Sequence, residues 1–188
     1  MRKKYCFIRS TLTIIAFLLF TRLSVAAPVK VYFSPHGGAE AALVELLDGA
    51  RQKLRIATYF FTSRPLAAAV KRAHERGIDI QVIIDGTNES DYSKGFYLRK
   101  YGVDVRYARG LPKKMKKSRK AKHRVKKYGI MHHKFVVVDD RLVATGSYNW
   151  TASAEKWNRE NLLIINSASL ARRYTQEFDR IWKTTFRK

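Results

Sequence analysis

The alternation of apolar and polar positions divides the chain into short segments of two kinds. Positions 29–33 alternate with period two and read as a strand, and 35–38 turn into a helix reaching about Ala50. In that helix Leu43, Val44, Leu46 and Leu47 fall at helical spacing. Positions 54–62 form an apolar, aromatic run suited to a strand buried on both faces. Thr62 or Ser63 can cap a second helix, with Pro65 in its first turn and Gly77 at its end. A third strand is expected over 78–84, a helix over 92–101 and a short strand over 103–107. The Val-rich run after Lys134 and positions 142–146 predict a hairpin turned at Asp139, Asp140 and Arg141. A strand over 161–165 follows, then a last helix capped by Ser167 or Ser169 and ending between Trp182 and Phe186. Strands alternating with helices indicate an α/β domain, a mixed β-sheet flanked by helices on both faces. Tyr59, Phe60, Phe61 and Phe135 read as core, and His36 and His74 as surface residues.

The start of the chain follows a different pattern. Arg2, Lys3, Lys4 and Arg9 precede an apolar run over 11–20, and Ser24, Val25 and Ala26 are small. Basic, then apolar, then small predicts a signal peptide over 1–26 and export to the periplasm or beyond. The run is about half of the ~20 residues that a membrane span needs. Membrane contact is therefore expected to be transient, or through this segment if it is not cleaved. The sole cysteine, Cys6, lies there, so residues 27–188 offer neither a disulfide nor a thiol nucleophile. Their length fits a single domain.

Charge changes the picture. The chain carries a net +23, and positions 113–127 hold 10 Lys or Arg among 15 residues with no acid. These are Lys113, Lys114, Lys116, Lys117, Arg119, Lys120, Lys122, Arg124, Lys126 and Lys127, in an insertion at about 111–128. Such a block acts as an interaction arm. DNA or RNA, held through phosphates without sequence preference, is the natural partner. Anionic phospholipid is the competitor. The block has no apolar face to enter a bilayer, whereas Tyr92, Phe96, Tyr97, Tyr101 and Tyr107 could stack on bases.

The arm ends a few residues before the candidate chemistry. His132, Lys134 and Asp139 fall as H-x-K-x4-D, and Gly146, Ser147 and Asn149 as G-S-x-N. An imidazole and an ammonium opening a buried strand cost desolvation that a bound anion would offset. Residues two apart share a strand face, so His132 and Lys134 point together and Asp139 points away. That suits Asp139 to fixing the strand end. Ser147 and Asn149 share a face if the chain stays extended after Gly146. The set offers one nucleophile or base, one cation and two neutral donors, as a phosphoryl group requires. A metal pair at His132 and His133 with Asp139 or Asp140 is the other reading, although adjacent strand residues diverge.

These residues match, at every position and both gaps, the H-x-K-x4-D-x6-G-S-x-N signature of the phospholipase D superfamily. With one copy, the chain resembles the small single-motif bacterial endonucleases of that superfamily. Glu160, in N-R-E-N, also matches an acidic residue that family members carry after the motif. The resemblance implies a catalytic set of His132, Lys134, Asp139, Ser147, Asn149 and Glu160. His132 would attack phosphorus, and Glu160 would hydrogen-bond its other ring nitrogen. It also implies a homodimer in which the second histidine protonates the leaving oxygen, with no metal or other cofactor. The expected function is an exported endonuclease acting on DNA, and on RNA as a further substrate. The alternatives are a phospholipase and a basic nucleic-acid-binding protein for DNA uptake or transfer.

Overall fold

The computed structural model describes residues 28–88, 90, 92–113 and 127–187. The expected signal peptide lies outside the described residues, as does most of the basic insertion. Among the described residues, β1 (Val29–Ser34), β2 (Lys53–Thr58), β3 (Asp79–Asp85), β4 (Asp104–Ala108), β5 (Lys134–Val138), β6 (Leu142–Gly146) and β7 (Glu160–Asn166) form one sheet. Its order is β1-β7-β6-β5-β2-β3-β4. β2, β3 and β4 run parallel, and the remaining neighbours pair antiparallel, so the sheet is mixed as expected.

Helices α1 (Ala39–Asp48), α2 (Arg64–Glu75), α3 (Lys94–Lys100) and α4 (Ala152–Lys156) supply the core on one face. There they meet Leu54, Ile56, Val82 and Val136. On the other face α5 (Ala168–Trp182) lays Ala171 and Phe178 over Ala57, Ile83, Phe135, Val137 and Val143. Capping explains the helix starts. Ser63 Oγ accepts from Leu66 N at α2, and Ser167 Oγ from Leu170 N at α5. Gly77, at φ 81°, stops α2 where a side chain would be strained.

Three differences from the sequence reading matter. β2 ends at Thr58, because residues 60–63 leave the sheet to bond with Trp150. Thr62 N and Ser63 N both donate to Trp150 O, and Trp150 N donates to Phe60 O. Phe61 is buried there against Trp150, but Phe60 is 38% exposed and is not core. The short helix α4 was not expected at all. Finally, α5 does not extend over the sheet's outer edge. Val29 (50% exposed), Val31 (51%) and Phe33 (58%) share that bare face with Leu163 and Ile165 of β7.

Candidate active site

Because β5 runs against the parallel β2 and β3, five strand ends meet at one edge of the sheet. They are the carboxyl ends of β2, β3 and β6 and the amino ends of β5 and β7. Ligands of α/β sheets bind beyond the carboxyl ends of strands. His132 lies two residues before β5, and Lys134 is its first residue. The backbone leading in is fixed by Asp85, a fully buried carboxylate closing β3, which accepts from Met131 N at 2.6 Å. Thr87 N donates to the same carboxylate at 2.9 Å.

His132 and Lys134 gather around Tyr59, where the chain leaves β2. The His132 and Tyr59 rings meet edge to face with centroids 4.6 Å apart. Lys134 Nζ stands 5.4 Å from the same ring centre and donates to His132 O at 2.9 Å. His133 turns elsewhere, its ring against Phe135 and its Nε2 3.4 Å from Glu177 Oε1. The two histidines diverge, and Asp139 and Asp140 sit at the opposite end of β5, so the metal-pair reading is not assembled.

On the far side of Lys134, Ser147 Oγ donates to Glu160 Oε2 at 2.5 Å, and Asn158 Nδ2 donates to Glu160 Oε1 at 3.0 Å. Glu160 therefore engages Ser147 and Asn158, not the His132 ring as the resemblance implies. Its charge still reaches the site, since it favours the ammonium form of Lys134. Asn149 Oδ1 is buried without a hydrogen-bond partner among the described residues. Such an orphan is uncommon in a fold and concentrates where function needs it.

Asp139 is placed away from this edge, and its inclusion in the catalytic set is corrected. It closes β5 at the hairpin turn, where Arg51 N, Gln52 N and Lys53 N donate to it at 2.8–2.9 Å. Partial burial pushes its carboxyl up, but these three amides outweigh that and hold its pKa below the ordinary value. Of the basic block, Lys113 and Lys127 face each other at the base of the insertion, with Lys113 N donating to Lys127 O at 2.7 Å. Gly110, Leu111 and Gly129 continue this ladder. Lys114, Lys116, Lys117, Arg119, Lys120, Lys122, Arg124 and Lys126 lie outside the described residues.

Burial, then the Lys134 charge, pulls the His132 pKa below its ordinary 6.5; Asp85 opposes this. Burial likewise lowers Lys134, with Glu160 opposing. A mostly neutral imidazole beside an ammonium is a nucleophile next to an oxyanion stabiliser. Tyr59 and Asp85 were not anticipated as site residues. An aromatic after an apolar strand reads as core, and an acid before glycine reads as a turn.

The comparisons agree with this geometry. The family described as cardiolipin synthase, PLD-like domain, matches residues 43–182. The mitochondrial cardiolipin hydrolase of Canis lupus familiaris is 36% identical over 155 residues, covering 79% of this chain and 53% of that protein. The chain thus spans about half the length of that relative. Phospholipase D of Rickettsia bellii is 29% identical, with 80% of this chain and 67% of that protein covered. NucT from Helicobacter pylori superposes with a TM-score of 0.75 at 29% identity, over 85% of this chain and 98% of that one. Nuc from Salmonella typhimurium, a phospholipase D family member, gives 0.71 at 26% identity, over 86% and 99%. A family domain covering most of the chain, with the motif histidine and lysine brought together at an open sheet edge, leaves one conclusion: the chain belongs to the phospholipase D superfamily.

Proposed function

We propose that this protein is a phosphodiesterase, an exported endonuclease that hydrolyses DNA, with RNA as a further substrate, through a phosphohistidine. The observation that carries the reading is the position of His132, a largely neutral imidazole beside Lys134, at the edge where the base of the basic arm also lies. A polyanion gathered by that arm is delivered to the nucleophile.

In the first step a ring nitrogen of His132 attacks phosphorus. The P–N bond forms and the P–O bond to the leaving nucleoside breaks, while Lys134 and the Asn149 amide stabilise charge on the non-bridging oxygens. The leaving oxygen takes its proton from the imidazolium of a second chain's His132. Water then gives a proton to that second imidazole and attacks phosphorus, breaking the P–N bond and releasing a phosphomonoester. Two lysines, one from each chain, supply the cationic charge, so no divalent metal is required. The bare apolar strip of Val29, Val31 and Phe33 supports the pairing, since a second copy would cover it. The basic, apolar and small run over 1–26 supports export.

The names of the cardiolipin hydrolase and phospholipase D relatives favour a second reading, hydrolysis of phospholipid. Among the described residues no helix is long and apolar enough to cross a membrane. The test is one preparation assayed on single-stranded DNA, duplex DNA, RNA, and phosphatidylcholine and cardiolipin vesicles, with and without chelator. Nucleic-acid cleavage that survives chelation is expected, with phosphorus label trapped on His132 after an acid quench. Turnover of lipid alone, or chelator-abolished activity restored by Mg²⁺, would overturn the corresponding part.

A further inference from the structure

A groove of about 320 Å³ opens directly from His132, between the base of the basic insertion and the C-terminal half of α5. Arg109, His133, Glu177 and Arg180 line it, with Leu111 and Ile130 at its rim. The motif accounts for none of these residues. Two of them are guanidiniums in different situations. Arg180 is bound at Nε and Nη2 by both oxygens of Glu177, at 2.9 and 2.7 Å. Glu177 also faces His133, and its carboxyl is held below the ordinary range by Arg180 first and His133 after it, against burial. Glu177, the one acid lining the groove among the described residues, is thereby neutralised by its neighbours.

Arg109 is held differently. Its guanidinium lies over two rings, 5.4 Å from the centre of Tyr128 and 5.2 Å from that of Phe186, and it forms no ion pair among the described residues. Stacking fixes the plane of the group and leaves its edge donors unused, the arrangement that suits bidentate capture of a phosphate. Tyr128 belongs to the ladder that anchors the insertion, through its bridge to Pro112. A chain led in by the arm therefore passes Arg109 before it reaches His132.

We infer that this groove is a second phosphate subsite. It holds the phosphodiester neighbouring the one attacked at His132, with Arg109 as principal anchor and Arg180, through its remaining donors, as the second. The inference rests on the nucleic-acid reading above and deepens it: the enzyme prefers substrates with linked phosphates over a lone phosphodiester. A polynucleotide is favoured over a lipid because the groove continues into the base of the lysine-rich arm.

The test compares an oligothymidylate with the dinucleotide TpT, which has a single phosphodiester, using wild type, Arg109→Gln and Arg109→Lys. For Arg109→Gln the KM ratio of oligothymidylate to TpT is expected to rise about tenfold, with kcat on the oligomer changed less than about twofold. The slope of log affinity against log salt for the oligomer should fall by about 0.7, one single-strand phosphate contact. Arg109→Lys should recover most of the loss. Both substrates meet the same preparation, so partial unfolding of a variant cannot alter the ratio. An unchanged ratio, with wild type cleaving both substrates, overturns the subsite and leaves the nuclease reading standing. A wild type inert on both substrates removes that reading, and the subsite with it. An effect on cardiolipin vesicles without one on the oligomer also overturns it, assigning the groove to lipid.

Discussion

The hairpin of β5 and β6 carries the motif, and its two ends are built on opposite terms. At the turn, Asp139 accepts from three backbone amides and Asp140 pairs with Lys53, so each charge has a partner. At the open end, the Lys134 ammonium is buried enough for its pKa to fall, and among the described residues it donates only to the His132 carbonyl. The imidazole beside it is destabilised as a cation. The turn lowers the free energy of the fold. The open end keeps donors and a neutral base unsatisfied, in a geometry that a phosphoryl group completes. A single motif thus contains a structural half and a chemical half, and its residues should separate by the property each one damages.

The largest separation is at His132. His132→Ala should lower kcat by a factor on the order of 10⁴ or more, because the covalent intermediate cannot form. Its melting temperature should match or exceed wild type, since an exposed side chain in a half-charged cluster is removed. Calorimetry alongside single-turnover kinetics reads both. A clear loss of stability would mean that the open end also supports the fold.

Lys134→Met comes next. Losing one preorganised charge at a developing oxyanion should cost about 10²–10³ in kcat. The same change has a titration signature. The Lys134 cation disfavours imidazolium, so removing it raises the His132 pKa, though not fully, because burial is the larger cause and persists. In wild type the nucleophilic base form is lost as pH falls, and the acid limb of kcat/KM belongs below pH 6.5, the ordinary imidazole value. In Lys134→Met that limb should move upward. An NMR titration of the His132 ring that shows no upward shift would contradict the proposed coupling.

Asp139→Ala should do the reverse. Three amides lose a charged acceptor and alanine must adopt φ 51°, so unfolding free energy should drop by about 2–3 kcal/mol. At a temperature where the variant remains folded, kcat should stay within about twofold. The pH dependence follows the same sign. A carboxyl with a depressed folded pKa stabilises the protein above its ordinary 3.8 and loses that contribution as pH falls through the folded value. Denaturant midpoints across the acid range should therefore converge for wild type and variant. A kcat loss comparable to that of Lys134→Met would return Asp139 to the chemistry.

How much of this was readable beforehand depends on what encodes each feature. Periodicity and capping are written in neighbouring residues. Local signals were therefore sufficient for the core strands and the hairpin turn, and they narrowed the caps to Thr62 or Ser63 and to Ser167 or Ser169, of which the structure uses Ser63 and Ser167. That Asp139 fixes the strand end was also legible, although the strand stops at Val138 and Asp139 takes a left-handed φ of 51° and does not continue the alternation. The departure of the chain after Thr58 was not readable, since Tyr59, Phe60 and Phe61 continue the apolar pattern. Only the bonds to Trp150, nearly ninety positions away, end the strand. That crossing is what puts Tyr59 against His132. Asp85 was hidden similarly: nothing nearby reveals that its carboxylate turns inward to hold Met131 N. Five-residue α4 is too short to present a helical period.

The smallest expected effect lies at Asp140, where two modest terms oppose each other. Asp139 and Asp140 both have positive φ, 51° and 52°, as the central pair of a type I′ turn does, and Arg141 N donates to Val138 O at 3.0 Å; Asp-Gly is a preferred pair for such a backbone. Asp140→Gly removes a left-handed penalty of about 1 kcal/mol. It also removes the 2.5 Å contact with Lys53, but that pair is 31% and 51% exposed, and solvent screening limits it to about 0.5 kcal/mol. Glycine's extra freedom in the unfolded chain subtracts a further part. The net should be a stabilisation of no more than about 0.5 kcal/mol, shrinking slightly in low salt, where the lost ion pair counts for more. A destabilisation above about 1 kcal/mol would mean that the pair, and not the backbone conformation, governs the closed end of the hairpin.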